Sequence, residues 1–188
     1  MAHNNKMQLI VRAVVISISG FLLCLIMGYL YIGFRIFTPN NPGFQFIAFG
    51  LTGSIIFTTL KFSGLKNSIF ALVFLYFADI VLFKQAHINP LVGHLLHFLG
   101  IGISIYLYFL IFYCSLKELR FGKFLSLAAL IATTYLIISL ITGIFYQFPN
   151  FKLHVSGYTF LGFLIGTGLG IGFEVGEIIN AGFHKNLG

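Results

Sequence analysis

An aspartate and several histidines form the first group of side chains in this sequence that could do chemistry. Asp79 lies near the end of the third apolar run, and His94 and His97 lie at the start of the fourth. A helical hairpin centred near Ile88 would place Asp79 at the depth of His97, and their three-residue spacing places His94 and His97 on one face. His154 follows the fifth apolar run and is predicted to lie in the last outer loop, at the same membrane surface.

This group has an enzymatic and a structural interpretation. Deprotonated imidazoles and a carboxylate are ligands for a divalent metal ion, and a carboxylate that orients a histidine also suits acid–base catalysis. Both chemistries predict a membrane-embedded enzyme that acts on a lipid-linked substrate at the outer leaflet. In the structural interpretation, the same side chains only form hydrogen-bonded packing contacts or contact lipid headgroups, and the H-x2-H spacing is not diagnostic of zinc.

Two glutamates in the last apolar run form the second group. Glu174 and Glu177 are three residues apart, so they lie on one face of a helix. An intramembrane carboxylate is costly and needs a cationic partner or water. One hypothesis is an ion pair at the inner surface, with one of five basic residues as the partner: Lys61, Lys66, Lys117, Arg120 or Lys123. The other is a proton- or cation-binding carboxylate in a small transporter or channel, with Glu174 as the main candidate.

Glycines are concentrated in the same apolar run. They form two rows of four-residue spacing, which are Gly162, Gly166 and Gly170 in one row and Gly168, Gly172 and Gly176 in the other. At 100° per residue the two rows point to nearly opposite sides of a helix, and small residues allow helices to approach closely. The pattern predicts a helix packed between two neighbours, one of which could belong to a partner subunit.

The composition shows which elements must position these residues. The chain has 188 residues, of which 59% are hydrophobic, with 11 Lys and Arg against 4 Asp and Glu. Its mean hydropathy is +1.00, which excludes an ordinary soluble domain. The basic residues are scattered singly at the ends of apolar runs, so they indicate membrane topology and not a nucleic-acid surface.

Six apolar runs are each long enough to be a membrane helix, which needs roughly 20 residues. They predict an all-α, polytopic membrane protein, with one domain over residues 1–188 that is a compact six-helix bundle. The predicted helices cover residues 9–34, 45–62, 67–83, 91–116, 124–147 and 158–181. The first run is longer than the core of a signal peptide, so we expect it to be retained.

The basic residues also predict the orientation. With the N-terminus in the cytoplasm, the inner side carries Lys6, Arg12, Lys61, Lys66, Lys117, Arg120, Lys123 and Lys185. The outer side then carries only Arg35, Lys84 and Lys152. This asymmetry predicts a multi-pass protein of the inner (cell) membrane with both termini in the cytoplasm.

No motif in the sequence identifies a reaction, so three functional classes stay open. The first is a small integral membrane subunit or scaffold that binds a second copy or another membrane protein through the helix at 158–181. The second is the membrane-embedded enzyme, with a divalent metal as a candidate cofactor. The third is the transporter or channel that uses Glu174. The lipid bilayer is a partner in all three.

Overall fold

A computed structural model describes residues 2–33, 42–82, 90–114, 123–145, 147 and 149–185. Side chains are described at 6–33, 45–47, 49–73, 95–96, 98–111, 123–145, 147 and 149–182. The described chain contains six α-helices and no strand. They are α1 (Ala2–Gly33), α2 (Pro42–Ser63), α3 (Leu65–Leu82), α4 (Pro90–Cys114), α5 (Lys123–Phe145) and α6 (Phe151–Lys185). The predicted all-helical class is confirmed.

Four of these helices contain stretches that are long and apolar enough to cross a membrane. The stretches are Lys6–Gly33, Gln45–Ser63, Lys123–Phe145 and Phe151–Gly182. A shorter apolar stretch, Phe98–Ile111, lies in α4. Four such helices are compatible with a multi-pass membrane protein, whereas the six-span bundle remains a prediction.

Two helices begin seven residues earlier than the sequence predicts. The structure begins α6 at Phe151 and not at residue 158, so the predicted loop position of His154 is wrong. The backbone N–H of His154 donates to the carbonyl of Asn150 at 2.9 Å, and asparagine is a favourable residue immediately before a helix. Similarly, α1 begins at Ala2 and not at residue 9.

The sixth helix lies between the first and the fifth. It packs most extensively on α5 and α1, while α2 packs on α1 and contacts α6 less. The other contacts join α3 to α2 and α4, and α4 to α2 and α5. Between α2 and α3 lies the single residue Gly64, whose φ of 80° favours glycine. The two longest helices, α1 and α6, therefore lie side by side although they are farthest apart in the sequence.

Aromatic rings of α2 pack against rings of α4, α5 and α6. The rings of Phe57 and Phe173 stack with centroids 3.7 Å apart. Phe49 makes edge-on contacts with Phe98 and with Tyr135 of α5. These side chains are almost completely buried, so they form the core that holds α6 in place.

Candidate functional site

The first glycine row of α6 lies against α5. A Cβ atom added at Gly166 would lie 2.5 Å from the Cα atom of Ala128. Gly162 and Gly170 have equally close neighbours in Tyr135 and Phe124, at 2.7 and 2.8 Å. Because two of these neighbours are backbone atoms, a side chain at the row would have to push α5 away.

The second row lies against α1. A Cβ atom added at Gly168 would lie 2.7 Å from the Cα atom of Cys24, and one added at Gly176 would lie 2.7 Å from that of Ile16. Gly172 faces the backbone of Gly20, so two helices meet glycine to glycine there. Both rows are therefore occupied by helices of the same chain. A partner that binds α6 has to use the surface that the rows leave exposed.

Glu177 joins three helices in an ion cluster at one end of α6. Its carboxylate accepts a hydrogen bond from Nη2 of Arg12 at 2.8 Å and another from the ammonium of Lys61. The guanidinium carbon of Arg12 also lies 5.6 Å above the ring of Phe62. We call this end of the packed helices the Arg12 end.

Lys61 was one of the five partners predicted for Glu177, and the ion pair is present. Arg12 was not among them. The charge pattern nevertheless contained the signal, because it placed Arg12 at the same predicted membrane surface as Lys61. The cluster ties the ends of α1, α2 and α6 together, which is a structural role for Glu177.

Glu174 lies one turn away on α6 but has different neighbours. Its carboxyl group lies near the backbone N–H of Phe124, and Lys123 is near enough to interact electrostatically. Both residues belong to the first turn of α5, where the helix dipole favours negative charge. The oxygen Oε1 of Glu174 is buried and has no hydrogen-bond partner among the described residues. Glu174 thus caps α5 with part of its hydrogen-bonding capacity unused.

His154 lies within the contact between α5 and α6. Its Nε2 is 3.3 Å from Oγ1 of Thr142, and its ring centroid is 4.6 Å from that of Tyr158. In this arrangement His154 is a packed side chain that forms a hydrogen bond across the contact between α5 and α6.

The remaining members of the predicted outer-face group fall outside the description. Asp79 lies in α3, and His94 and His97 lie in α4, but their side chains are outside the described residues. The convergence of these three side chains therefore remains a prediction. Among the side chains that are described, no group of three His, Cys, Asp or Glu could hold a metal ion. Metal analysis of the purified protein tests the outer-face site directly.

Hydroxyl pairs between helices are a feature that the sequence analysis missed. Ser17 of α1 lies 2.7 Å from Thr58 of α2, oxygen to oxygen. Ser104 of α4 and Thr134 of α5 are also 2.7 Å apart. The available signal was the presence of hydroxyl side chains within apolar runs, since such groups form hydrogen bonds across membrane helices.

Large apolar side chains are exposed beyond the ion cluster. We call them the end patch, and they are Met7, Ile10 and Val11 of α1 with Ile178 and Ile179 of α6. The exposed fractions are 67% for Met7, 64% for Ile10 and 71% for Ile178. These residues continue α1 and α6 past Arg12 and Glu177, at the Arg12 end.

Comparison with known protein families, curated proteins and solved structures gives no match to this chain.

Proposed function

We propose that the protein is a small integral membrane subunit or scaffold that binds a partner protein at the Arg12 end of α6. The observation that supports this function is the end patch, since large exposed apolar side chains grouped outside a membrane mark interaction sites. The patch lies on the glycine-rich helix and on the helix that packs against its second glycine row. A partner bound there would contact two helices that are held rigidly together.

Helix lengths support a position of the end patch outside the hydrocarbon. From Lys152 to Ile178, α6 rises about 39 Å at about 1.5 Å per residue. The hydrocarbon core of a bilayer is only about 30 Å thick. If Lys152 lies at one membrane surface, Ile178 and Ile179 extend past the other.

The proposed membrane arrangement is six spans in the inner membrane, with both termini in the cytoplasm. An even number of spans returns the chain to its starting side, and the excess of basic residues at the Arg12 end favours the cytoplasm for that side. The end patch would then face a cytoplasmic partner or a cytoplasmic segment of a membrane partner.

Site-specific photo-crosslinking in native membranes tests the partner function. A photoreactive side chain at Ile178 or Ile10 should give a protein adduct. Ile26 and Ile144 are matched controls, because they are also exposed and apolar but lie away from the end patch; we expect only lipid adducts from them. An adduct of twice the chain mass would identify a second copy as the partner. Lipid adducts alone at all four positions would contradict the proposal.

A second candidate function is proton transfer by Glu174. It is favoured by the buried Oε1 atom, because a buried carboxyl oxygen without a hydrogen-bond donor favours the protonated form of the group and so the uptake of a proton. Proton flux into liposomes tests this function. Replacement of Glu174 by Gln should abolish the flux, whereas flux retained in a folded Gln variant would remove Glu174 from any transport mechanism.

A further inference from the structure

A shallow groove runs along the contact between α5 and α6, on the face that the glycine rows leave exposed. Its cavity volume is about 590 Å³. Its walls include Ala132 and Leu136 of α5 and Lys152, Ser156, Thr159 and Phe163 of α6. We call it the α5–α6 groove. It is separate from the end patch, which lies at the opposite end of α6.

The length of the groove matches one leaflet of a bilayer. From Lys152 to Phe163, α6 rises about 16 Å, which is about half of the 30 Å hydrocarbon core. A transmembrane helix of a partner would continue through both leaflets. An acyl chain ends at the middle of the bilayer, so the groove fits a lipid chain better than a helix.

The walls of the groove offer apolar contacts. Leu136 and Phe163 contribute hydrocarbon surface, and the two hydroxyl groups already have acceptors. Ser156 donates to the carbonyl of Leu153 at 3.2 Å, and Thr159 donates to that of Val155 at 2.8 Å. The hydroxyl groups of Ser156 and Thr159 are thus hydrogen-bonded within α6. An apolar occupant of the groove would therefore leave neither hydroxyl group without a partner.

Lys152 gives the groove a charged end. Its side chain is exposed and lines the groove near the start of α6, where a lipid headgroup would lie if the groove follows one leaflet. A lysine near a membrane surface attracts anionic lipids. We propose that the α5–α6 groove binds an anionic phospholipid, with one acyl chain along the groove and the phosphate beside the ammonium of Lys152.

Titration of the purified full-length protein with lipid, followed by native mass spectrometry, tests this site. The probes are phosphatidylglycerol and phosphatidylcholine with identical acyl chains. We expect phosphatidylglycerol to bind about fivefold more tightly, the effect of one lysine near an anionic headgroup. Replacement of Lys152 by Gln should remove this preference. Because Lys152 is exposed, the substitution should leave the fold intact.

Two threonine variants test the acyl-chain part of the site. Thr159→Phe fills the groove and should weaken the binding of both lipids. Thr133→Phe adds the same ring at an exposed position of α5 outside the groove and should leave both affinities unchanged. Equal effects of the two variants, or an unchanged lipid preference in Lys152→Gln, would overturn the proposal.

The experiment also distinguishes the phospholipid from two other occupants, a free phosphate compound and a second copy of the chain. Glycerol phosphate carries the anionic group without an acyl chain, and competition by it as strong as that of phosphatidylglycerol would show that the groove contributes nothing. A dimer that Thr159→Phe dissociates, with lipid binding unchanged, would assign the groove to a second copy of the chain. Either result overturns the lipid site.

Discussion

Glu174 and Glu177 show how far residue type and spacing determine the role of a side chain. Both are glutamates on the same helix, and their spacing predicts a shared face. In the structure Glu177 is paired with two cations, whereas Glu174 caps α5 and keeps one oxygen unpartnered. The ion pair was predictable because the charge pattern placed lysines at that membrane surface. The cap was not, because it depends on where the first turn of α5 lies relative to α6.

Substitutions at Glu174 should separate capping from charge. Glu174→Gln retains an oxygen that can accept from the N–H of Phe124, so we expect little loss of stability. Glu174→Lys places a cation beside Lys123 and the positive end of the α5 dipole, and should cost about 1 kcal/mol more. Thermal unfolding in detergent measures the difference. Equal stability of the two variants would contradict the capping role.

Glu177→Gln should destabilise the protein, because Arg12 and Lys61 would both lose their anionic partner. The side chains are partly buried, so we expect a loss of about 1 to 3 kcal/mol in the free energy of unfolding. Thermal unfolding of this variant beside Glu174→Gln provides the comparison. A Glu177→Gln variant no less stable than Glu174→Gln would show that the cluster contributes no net stability.

At the scale of elements, the two glycine rows are the feature that sequence reasoning described most fully. The four-residue spacing specifies which glycines share a side of the helix, and the structure places one row against α5 and the other against α1. The sequence did not specify that both neighbours belong to the same chain, since spacing is the same for internal and intersubunit contacts. It also missed the first turns of α6, because the polar residues near Pro149 indicated a longer loop.

A leucine in a glycine row should overpack the contact. Gly168→Leu places a side chain against the backbone of Cys24 and should lower stability by about 1 to 3 kcal/mol. Gly182 is a matched control on the same helix, because a Cβ atom there would meet nothing within 4 Å. Gly182→Leu should leave thermal unfolding unchanged. Equal melting temperatures for the two variants would contradict close packing on α1.

At the scale of the whole molecule, composition was sufficient to predict an all-helical chain with helices long and apolar enough to cross a membrane. The orientation that the charge pattern predicts stays a prediction. Which helices pack on each other was harder to predict from the sequence, because apolar runs of similar composition carry little information about their neighbours. The position of α6 relative to α2, for example, depends on side-chain shape, because the rings of Phe57 and Phe173 stack there.

The predicted orientation can be measured with a reporter fused after Gly188. A reporter that is active only in the periplasm should be silent there, and one that is active only in the cytoplasm should give a signal. The physical reason is that loops with an excess of Lys and Arg are retained in the cytoplasm, and the basic residues of this chain are in excess at the Arg12 end. A periplasmic signal would reverse the membrane faces assigned to Lys152 and to the end patch.

The contact between α1 and α6 joins the first and the last of the described helices. The close contacts that Gly20 and Cys24 of α1 make with Gly172 and Gly168 of α6 can form only after Gly172 has left the ribosome. Until then, the side of α1 that faces α6 lacks this partner, and contacts of such long sequence separation form late. The nascent chain is thus vulnerable to proteolysis and mispairing until α6 packs on α1, so quality control of this protein should act on α1.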